Sequence, residues 1–260
     1  QDQIEQLREA NRLLGAEPSG LTEKNRATLR QFDNRETVRE LLGLPERLFA
    51  KAKSTANRSR AAVLAQTAIA IQILQLTAIR MNNLINLKVG TNLVQPGCAG
   101  SDFHLLIAAQ EVKNAEPLEH VLRGRATTFL EDYLHTYRTT FTDSADGFLF
   151  VTAGGKQKSQ ATLTQQIEET IWKYVGVRMT PHQFRHLAAK IMADHDPGNF
   201  EATRRLLGHK NHRTTVNFYS GFQTQAAGEH YQKIVHGELE AGRGARKVQR
   251  KPVGRGERKR

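Results

Sequence analysis

The most apolar stretch of the chain lies at residues 60–78, where alanine, isoleucine and leucine predominate. A helix that is apolar on every face has no side to turn to water, so it is expected at the centre of a core. Upstream, from Asp33 onward, apolar positions at helical spacing predict a helix that is interrupted between Gly43 and Pro45. The first third of the chain therefore predicts helices around one buried helix.

Runs of strand length follow at 88–94, 103–112 and 118–122. They predict a three-stranded antiparallel sheet. Amphipathic patterns at 126–141 and 161–176 then predict two more helices. The fold class expected from this order is α+β and mainly helical, with one small antiparallel sheet.

Helix-start signals are concentrated near Thr180. Thr180 is a suitable N-cap, Pro181 suits the first helical position, and Gln183 completes a capping box. These residues predict a helix from Pro181 to Met192. Asn199 predicts the cap of a second helix.

The second helix is expected to end at Gly208 in the left-handed conformation that favours glycine. His209 then lies at a tight corner. A short third helix, capped by Thr214, is predicted to carry Tyr219.

The residue types in this region indicate chemistry on a phosphodiester. His182 and Arg185 share one face near a helix N-terminus, where free N–H groups and the helix dipole favour phosphate. Arginine holds two phosphate oxygens at once, and histidine adds hydrogen bonds or a proton. A tyrosine hydroxyl such as that of Tyr219 can attack phosphorus. A second arginine, Arg80, directly follows the apolar helix.

The net charge of the chain indicates which kind of molecule it binds. The net charge is +12 and the pI is about 10.0, which indicates a polyanion. Residues 241–260 hold nine basic residues against Glu257 alone, so this segment is predicted to be a disordered basic tail. The single cysteine, Cys98, excludes an internal disulfide and suits a reducing cytosol, and no apolar stretch predicts a membrane span.

Four features in this order and spacing resemble the catalytic domain of the tyrosine recombinase (phage integrase) family: Arg80, HxxRH at 182–186, LLGH at 206–209, and Tyr219. The resemblance implies a catalytic domain at 31–240 and a basic tail at 241–260. Residues 1–30 would then be an N-terminal helical segment or linker that remains from a preceding DNA-binding domain.

The positions that the resemblance implies to be catalytic are Arg80, Lys113, His182, Arg185, His209 and Tyr219. The two arginines would clamp the scissile phosphate, and the two histidines would stabilise its charge. Tyr219 would be the nucleophile that becomes joined to a DNA 3′-phosphate. Lys113, in the turn of a predicted hairpin, would protonate the leaving 5′ oxygen. Four positions differ from the common family pattern: Ala78 in place of glycine, Asn83 in place of an acidic residue, Phe184 in place of leucine and Leu187 in place of threonine.

The function implied is that of a site-specific recombinase or integrase that breaks and rejoins DNA through a 3′-phosphotyrosine. Its partners would be double-stranded DNA and copies of itself, as a homotetramer on paired sites and a monomer without DNA, with no membrane. It would need neither cofactor nor metal, and would act in the cytoplasm of a bacterium, near the nucleoid, in the service of a phage, plasmid or transposable element. The alternatives are a non-cleaving DNA-binding protein of the same fold, or a relaxing enzyme like a type IB topoisomerase.

Several residues have a second interpretation. Lys156 and Lys158 are alternatives to Lys113 as the acid that protonates the leaving 5′ oxygen. His182 and His186, four residues apart, could ligate zinc, but Arg185 would oppose a cation.

The simplest interpretation of Arg204 and Arg205 is that they lie on a solvated helix face; the second is that they contact the DNA backbone.

Overall fold

The computed structural model describes residues 22–97, 100–112, 115–196, 198–209, 215–216, 228 and 231–237. Within these ranges the α-helices are α1 (Glu23–Arg30), α2 (Arg35–Leu42), α3 (Leu44–Lys53), α4 (Arg58–Thr77), α5 (Met81–Ile85), α6 (Arg125–Asp132), α7 (Gln160–Val175), α8 (Gln183–His195) and α9 (Phe200–Leu207). The strands are β1 (Lys88–Val89), β2 (Leu93–Val94), β3 (Phe103–Ile107), β4 (Leu118–Leu122) and β5 (Gly147–Phe148). Residues 231–237 are also helical.

Four residues singled out by the predictions lie outside the described residues: Cys98, Lys113, Thr214 and Tyr219. The tail at 241–260 and the first 21 residues of the N-terminal segment also lie outside them.

Helix α4 is the centre of the core, as predicted. The Asn57 side chain caps its start by accepting from the Arg60 N–H, and buried residues such as Ile69 and Leu74 occur around its circumference. By length and apolarity α4 could cross a membrane, but 72% of its most apolar window is buried inside the fold. That burial is what a core helix requires.

Helix α3 packs against α4 and α7, and α2 packs against α7. The predicted break at Gly43 is confirmed, because α2 ends at Leu42 and α3 starts at Leu44 with Pro45 in its first turn. Gln75 of α4 donates to the carbonyl of Leu41 at 2.7 Å, which fixes the end of α2 against the central helix.

The sheet differs from the prediction. It has five strands in the order β4-β3-β2-β1-β5, and not three. The run at 88–94 is divided by a turn at Gly90, whose φ of +78° favours glycine, so β1 and β2 are separate strands that pair in parallel. The run from Phe103 stops at Ile107 because Ala109–Glu111 form a 3-10 turn. The hairpin of β3 and β4 is antiparallel, as predicted.

Strand β5 exists because of one buried arginine. Arg138 is 3% exposed and donates to the carbonyls of Ser144, Asp146 and Phe148. These bonds shape the loop so that Gly147 and Phe148 pair with β1, shortly after α5. A short apolar run does not reveal this pairing, since its partners are distant in sequence.

Helix α1 braces the helix that carries the HxxR pair. Gln183 Nε2 donates to Asn25 Oδ1 at 3.2 Å and to Thr28 Oγ1 at 3.0 Å, while Leu29 and Phe32 are each 2% exposed in the main core. Residues 22–30 therefore pack against α8, and the domain boundary at residue 30 stays a prediction.

Candidate active site

The Arg185 guanidinium joins three segments of the chain. Its side chain lies in the first turn of α8 and is almost fully buried, with the residue 5% exposed. Nη1 donates to the carbonyl of Ala78 at 2.7 Å, and Nη2 donates to the carbonyl of Leu207 at 2.5 Å. Arg185 thereby holds the ends of α4 and α9 against α8.

Both acceptors are carbonyls that a helix end leaves unpaired. Ala78 follows α4 in the left-handed conformation, with φ 49° and ψ 29°, and Leu207 precedes Gly208, whose φ is +57°. The last carbonyls of a helix have no intrahelical partner and carry the negative end of its dipole. Two helix ends therefore supply the acceptors that a buried cation needs. Ala78 occupies the position where glycine is common in the resembled family, and its methyl group packs beside Ala189 and Leu207.

The predicted start of α8 is shifted by two residues. The helix begins at Gln183 and ends at His195, and not from Pro181 to Met192. Half of the predicted capping box is present, because Gln183 Oε1 accepts from the Thr180 N–H at 2.8 Å. The turn before the helix is tighter than an α-turn, with the Gln183 N–H bonded to the Thr180 carbonyl.

Arg80 approaches the same place from the start of α5. It is half-buried, and among the described residues its Nη1 is buried without a hydrogen-bond partner. Its charge helps to lower the pKa of Arg185, His182 and His209, so these four residues share one electrostatic environment. Burial, and then the charge of Arg80, lowers the pKa of Arg185 to about 10, which leaves it protonated at neutral pH.

Asn83 adds a second donor to this environment. It is 5% exposed, and its Nδ2 is also buried without a partner among the described residues. In the part of the chain that the structure describes, no carboxylate forms an ion pair with Arg80 or Arg185. The site therefore presents positive charge and free N–H groups, which suits an anion.

Two of the three histidines on whose pKa the charge of Arg185 acts contact each other. The rings of His182 and His186 meet edge to face, with centroids 5.0 Å apart and planes at 88°. His186 is 7% exposed, whereas His182 is exposed at the start of α8. In the described residues no group of three potential ligands could hold a metal ion.

The third histidine, His209, is held at both ring nitrogens. Nδ1 lies 3.1 Å from Thr215 Oγ1, and Nε2 lies 3.4 Å from Arg185 Nη2. Because arginine only donates, a hydrogen bond there makes Nε2 the acceptor and places the ring proton on Nδ1, which donates to Thr215. Thr215 is fully buried and was not predicted.

Burial and nearby positive charge lower the pKa of all three histidines, which favours their neutral form. Burial, and then the charges of Arg185 and Arg80, lowers the pKa of His209 to about 4. Burial and the neighbouring His182 and Arg185 lower the pKa of His186 to about 4. The pKa of His182 is lowered in the same way by partial burial and by both arginines.

The corner that carries His209 packs against the sheet. The N–H groups of Gly208 and His209 bond to the carbonyls of Arg205 and Arg204, the pattern of a Schellman motif, and the predicted left-handed Gly208 is confirmed. A Cβ at Gly208 would lie 3.2 Å from Cδ2 of Leu118, the first residue of β4. The strand that follows Lys113 therefore contacts this corner.

The two remaining predicted residues can be located only through their neighbours. Lys113 follows the turn Ala109–Glu111, which Glu111 stabilises by accepting from the Ala108 N–H at 3.0 Å. Tyr219 follows the helical residues Thr215 and Val216.

The two lysines that are alternatives to Lys113, Lys156 and Lys158, differ in their surroundings. Lys158 is 4% exposed, donates to Gln166 Oε1 at 2.8 Å, and has its pKa lowered to about 8 by burial. Lys156 is exposed. Neither is among the charges that shift the pKa of Arg185 or His209.

Known proteins resemble this chain in sequence and in fold. The model of the phage integrase family matches residues 38–225. Over 87 residues the chain is 34% identical to a Pseudomonas aeruginosa protein assigned as tyrosine recombinase XerC, a stretch that is 32% of this chain and 20% of that protein.

Two crystal structures of the XerH site-specific recombinase share the fold. The post-cleavage complex with a palindromic difH substrate matches with a TM-score of 0.54 and 21% identity, covering 72% of this chain and 50% of XerH. The pre-cleavage complex with difH matches with a TM-score of 0.52 and 21% identity, covering 71% of this chain and 50% of XerH. The chain thus spans a fifth of the XerC protein and half of XerH.

The neutral histidines predict a loss of stability in mild acid. The ordinary histidine pKa is 6.5, and His186 and His209 have folded values of about 4. Between these values the unfolded chain binds more protons, so the free energy of unfolding should fall as the pH is lowered from about 7 to about 5. Urea denaturation at both pH values measures the change, and a variant with His186→Gln and His209→Gln should show a smaller one. An unchanged pH dependence in that variant would contradict the neutral assignment.

Proposed function

Because the phage integrase family model matches residues 38–225, the chain belongs to that family, and we propose that it is a tyrosine recombinase that cuts and rejoins double-stranded DNA. The observation that carries this proposal is the grouping of Arg80, Arg185 and His209 beside the unpaired buried donors of Arg80 and Asn83, with no opposing carboxylate among the described residues. Such a site is suited to one phosphodiester group. The XerH structures are complexes with DNA substrates, and this chain is basic, which supports duplex DNA as the partner.

The proposed first step forms a bond between protein and DNA. The Tyr219 oxygen attacks the scissile phosphorus, the bond from phosphorus to the 5′ oxygen breaks while Lys113 gives that oxygen a proton, and a 3′-phosphotyrosine remains. Arg80 and Arg185 bind the non-bridging oxygens as negative charge builds on them. His182, being neutral, can donate to these oxygens or accept the tyrosine proton. His209 donates from Nδ1 to Thr215 and accepts from Arg185 at Nε2, so it would donate to a phosphate oxygen from Nε2 once its ring proton lies there.

The second proposed step reverses the first with another strand. A 5′-hydroxyl attacks the phosphotyrosine, restores a phosphodiester and releases Tyr219, so no external energy source is needed. Exchange between duplexes requires two paired sites and therefore a homotetramer, whereas the chain would be a monomer without DNA. The cytoplasm, near the nucleoid, is the compartment this role implies.

The alternatives differ in their products. A non-cleaving DNA-binding protein of the same fold would form no covalent adduct. A relaxing enzyme like a type IB topoisomerase would form one at many sequences. All six proposed catalytic positions are filled by competent residue types, which favours a cutting enzyme.

Covalent trapping tests the nucleophile. The protein is incubated with a nicked duplex from the ends of its host element, so that the released 5′-end diffuses away, and is then denatured in detergent. We expect a protein band that carries labelled DNA with the wild type and none with Tyr219→Phe, because phenylalanine lacks the attacking oxygen. A Tyr231→Phe variant is the matched control, since Tyr231 is exposed and should be dispensable.

The absence of an adduct, despite tight binding of the same duplex, would favour the non-cleaving alternative. Adduct formation by Tyr219→Phe at the wild-type level would instead assign the nucleophile to another residue.

A substrate with a better leaving group tests Lys113. In a duplex whose bridging 5′ oxygen is replaced by sulfur, the departing thiolate needs no proton. Lys113→Ala should cleave ordinary DNA about 100-fold or more slowly and the sulfur-containing DNA at nearly the wild-type rate. Lys156→Ala is the control and should cut both substrates normally. Equal defects of Lys113→Ala on both substrates would remove it as the acid.

A further inference from the structure

Arg204 holds the backbone of the His209 corner. The His209 N–H donates to the Arg204 carbonyl at 3.0 Å, and Arg204 Nη1 donates to the His209 carbonyl at 2.7 Å. Both backbone polar groups of His209 are therefore bound by the same residue. This closed arrangement lies one residue beyond the left-handed Gly208, where the chain changes direction.

Glu201 fixes the Arg204 side chain from one turn earlier in α9. Arg204 Nε donates to Glu201 Oε2 at 2.7 Å and Nη2 donates to Oε1 at 2.8 Å, so the pair is bidentate. The remaining terminal nitrogen of the guanidinium is the one that reaches His209. A planar group with three fixed hydrogen bonds has little freedom to rotate.

The neighbouring arginine provides a contrast. Arg205 also binds Glu201, with Nε to Oε1 at 2.8 Å, but no contact joins its side chain to His209. The Arg205 side chain is 75% exposed and that of Arg204 is 27% exposed. The two residues are adjacent and chemically identical, yet only one of them contacts the site.

The ring of His209 depends on this backbone position. It lies between Thr215 Oγ1 and Arg185 Nη2, at 3.1 Å and 3.4 Å from its two nitrogens. A rotation or shift of the corner would break both contacts together, since they are made from opposite edges of one ring. On the sheet side, a Cβ at Gly208 would meet Leu118 Cδ2 at 3.2 Å, so the corner lies close to the first residue of β4.

We propose that Arg204, held by Glu201, is a positioning residue that fixes His209 against Arg185 and so sets the geometry of the phosphate site. This replaces the simpler interpretation of Arg204 as a solvated face or a DNA backbone contact. The role in catalysis rests on the proposed recombinase function, whereas the role in positioning does not.

Two measurements compare Arg204→Gln with its matched control, Arg205→Gln. In the DNA-free protein, the amide hydrogen of His209 should exchange roughly five- to tenfold faster in Arg204→Gln, because the hydrogen bonds of the corner are weakened. In single-turnover adduct formation the same variant should be about 10- to 100-fold slower, since a small misplacement of a reacting group costs that much. Arg205→Gln should match the wild type in both, and Glu201→Gln should be intermediate.

The double variant with His209→Ala distinguishes positioning from a general effect. If Arg204 acts only through His209, adding Arg204→Gln to His209→Ala should slow adduct formation by less than about threefold. The midpoint of thermal unfolding and the Kd for DNA are also measured for each variant. Both quantities should be similar in Arg204→Gln and Arg205→Gln.

Three results would overturn the inference. One is equal amide exchange at His209 in the two single variants. Another is the full rate loss from Arg204→Gln in the His209→Ala background. The third is weaker DNA binding by Arg204→Gln with a shallower salt dependence, which would identify a phosphate contact. If the wild type forms no adduct, the proposed function fails, and amide exchange still decides whether Arg204 positions His209.

Discussion

The structure of the site depends on one buried cation and on the acceptors that it requires. The Arg185 guanidinium is bonded to the carbonyls of Ala78 and Leu207, which two different helices leave unpaired at their ends. A buried charge without acceptors is costly, so the ends of α4 and α9 must converge on α8 wherever Arg185 is buried. The central helix of the core thereby ends at the site, and the corner with His209 is held next to it.

The same arrangement leaves the site with unbalanced positive charge. Burial and then the charge of Arg80 lower the pKa of Arg185, and burial and then both arginines lower the pKa of His182 and His209. No carboxylate of the described residues pairs with either arginine. Asn83, an amide at a position where the resembled family often has an acid, leaves the charge uncompensated. A bound phosphodiester would supply both the missing negative charge and acceptors for the buried donors of Arg80 and Asn83. The uncompensated charge and the unpaired donors are unfavourable in the free protein, and the same groups would favour binding of the proposed substrate.

The sequence predicted features that depend on local chemistry. The mainly apolar composition of α4 predicted a buried helix, which is confirmed. The break at Gly43, the Asn199 cap and the left-handed Gly208 each follow from a few neighbouring residues, and these predictions are also confirmed. The number of strands was predicted wrongly, as three and not five, for two reasons. The run at 88–94 is divided at Gly90 into β1 and β2, and the outer strand β5 depends on bonds from Arg138 to a loop, which no local pattern reveals.

Tertiary contacts account for what the sequence leaves undetermined at the site. Arg204 and Arg205 are indistinguishable in sequence, and only the packing of α9 against the corner gives one of them a hydrogen bond to His209. Backbone acceptors such as the Ala78 carbonyl carry no residue-specific signal at all. The positions of Arg80, His182, Arg185 and His209 were identified through family resemblance, and the structure brings these four into one electrostatic environment.

The most direct test of this account is the rate of adduct formation by Arg185→Lys on a nicked duplex, measured where the variant is folded. Lysine keeps the positive charge but is a compact donor that cannot span two carbonyls and a phosphate as the guanidinium does. If Arg185 both assembles the site and binds the phosphate, the variant should bind DNA and form the adduct about 100-fold or more slowly. Adduct formation within a few-fold of the wild-type rate, by a folded variant, would contradict the central role assigned to this side chain.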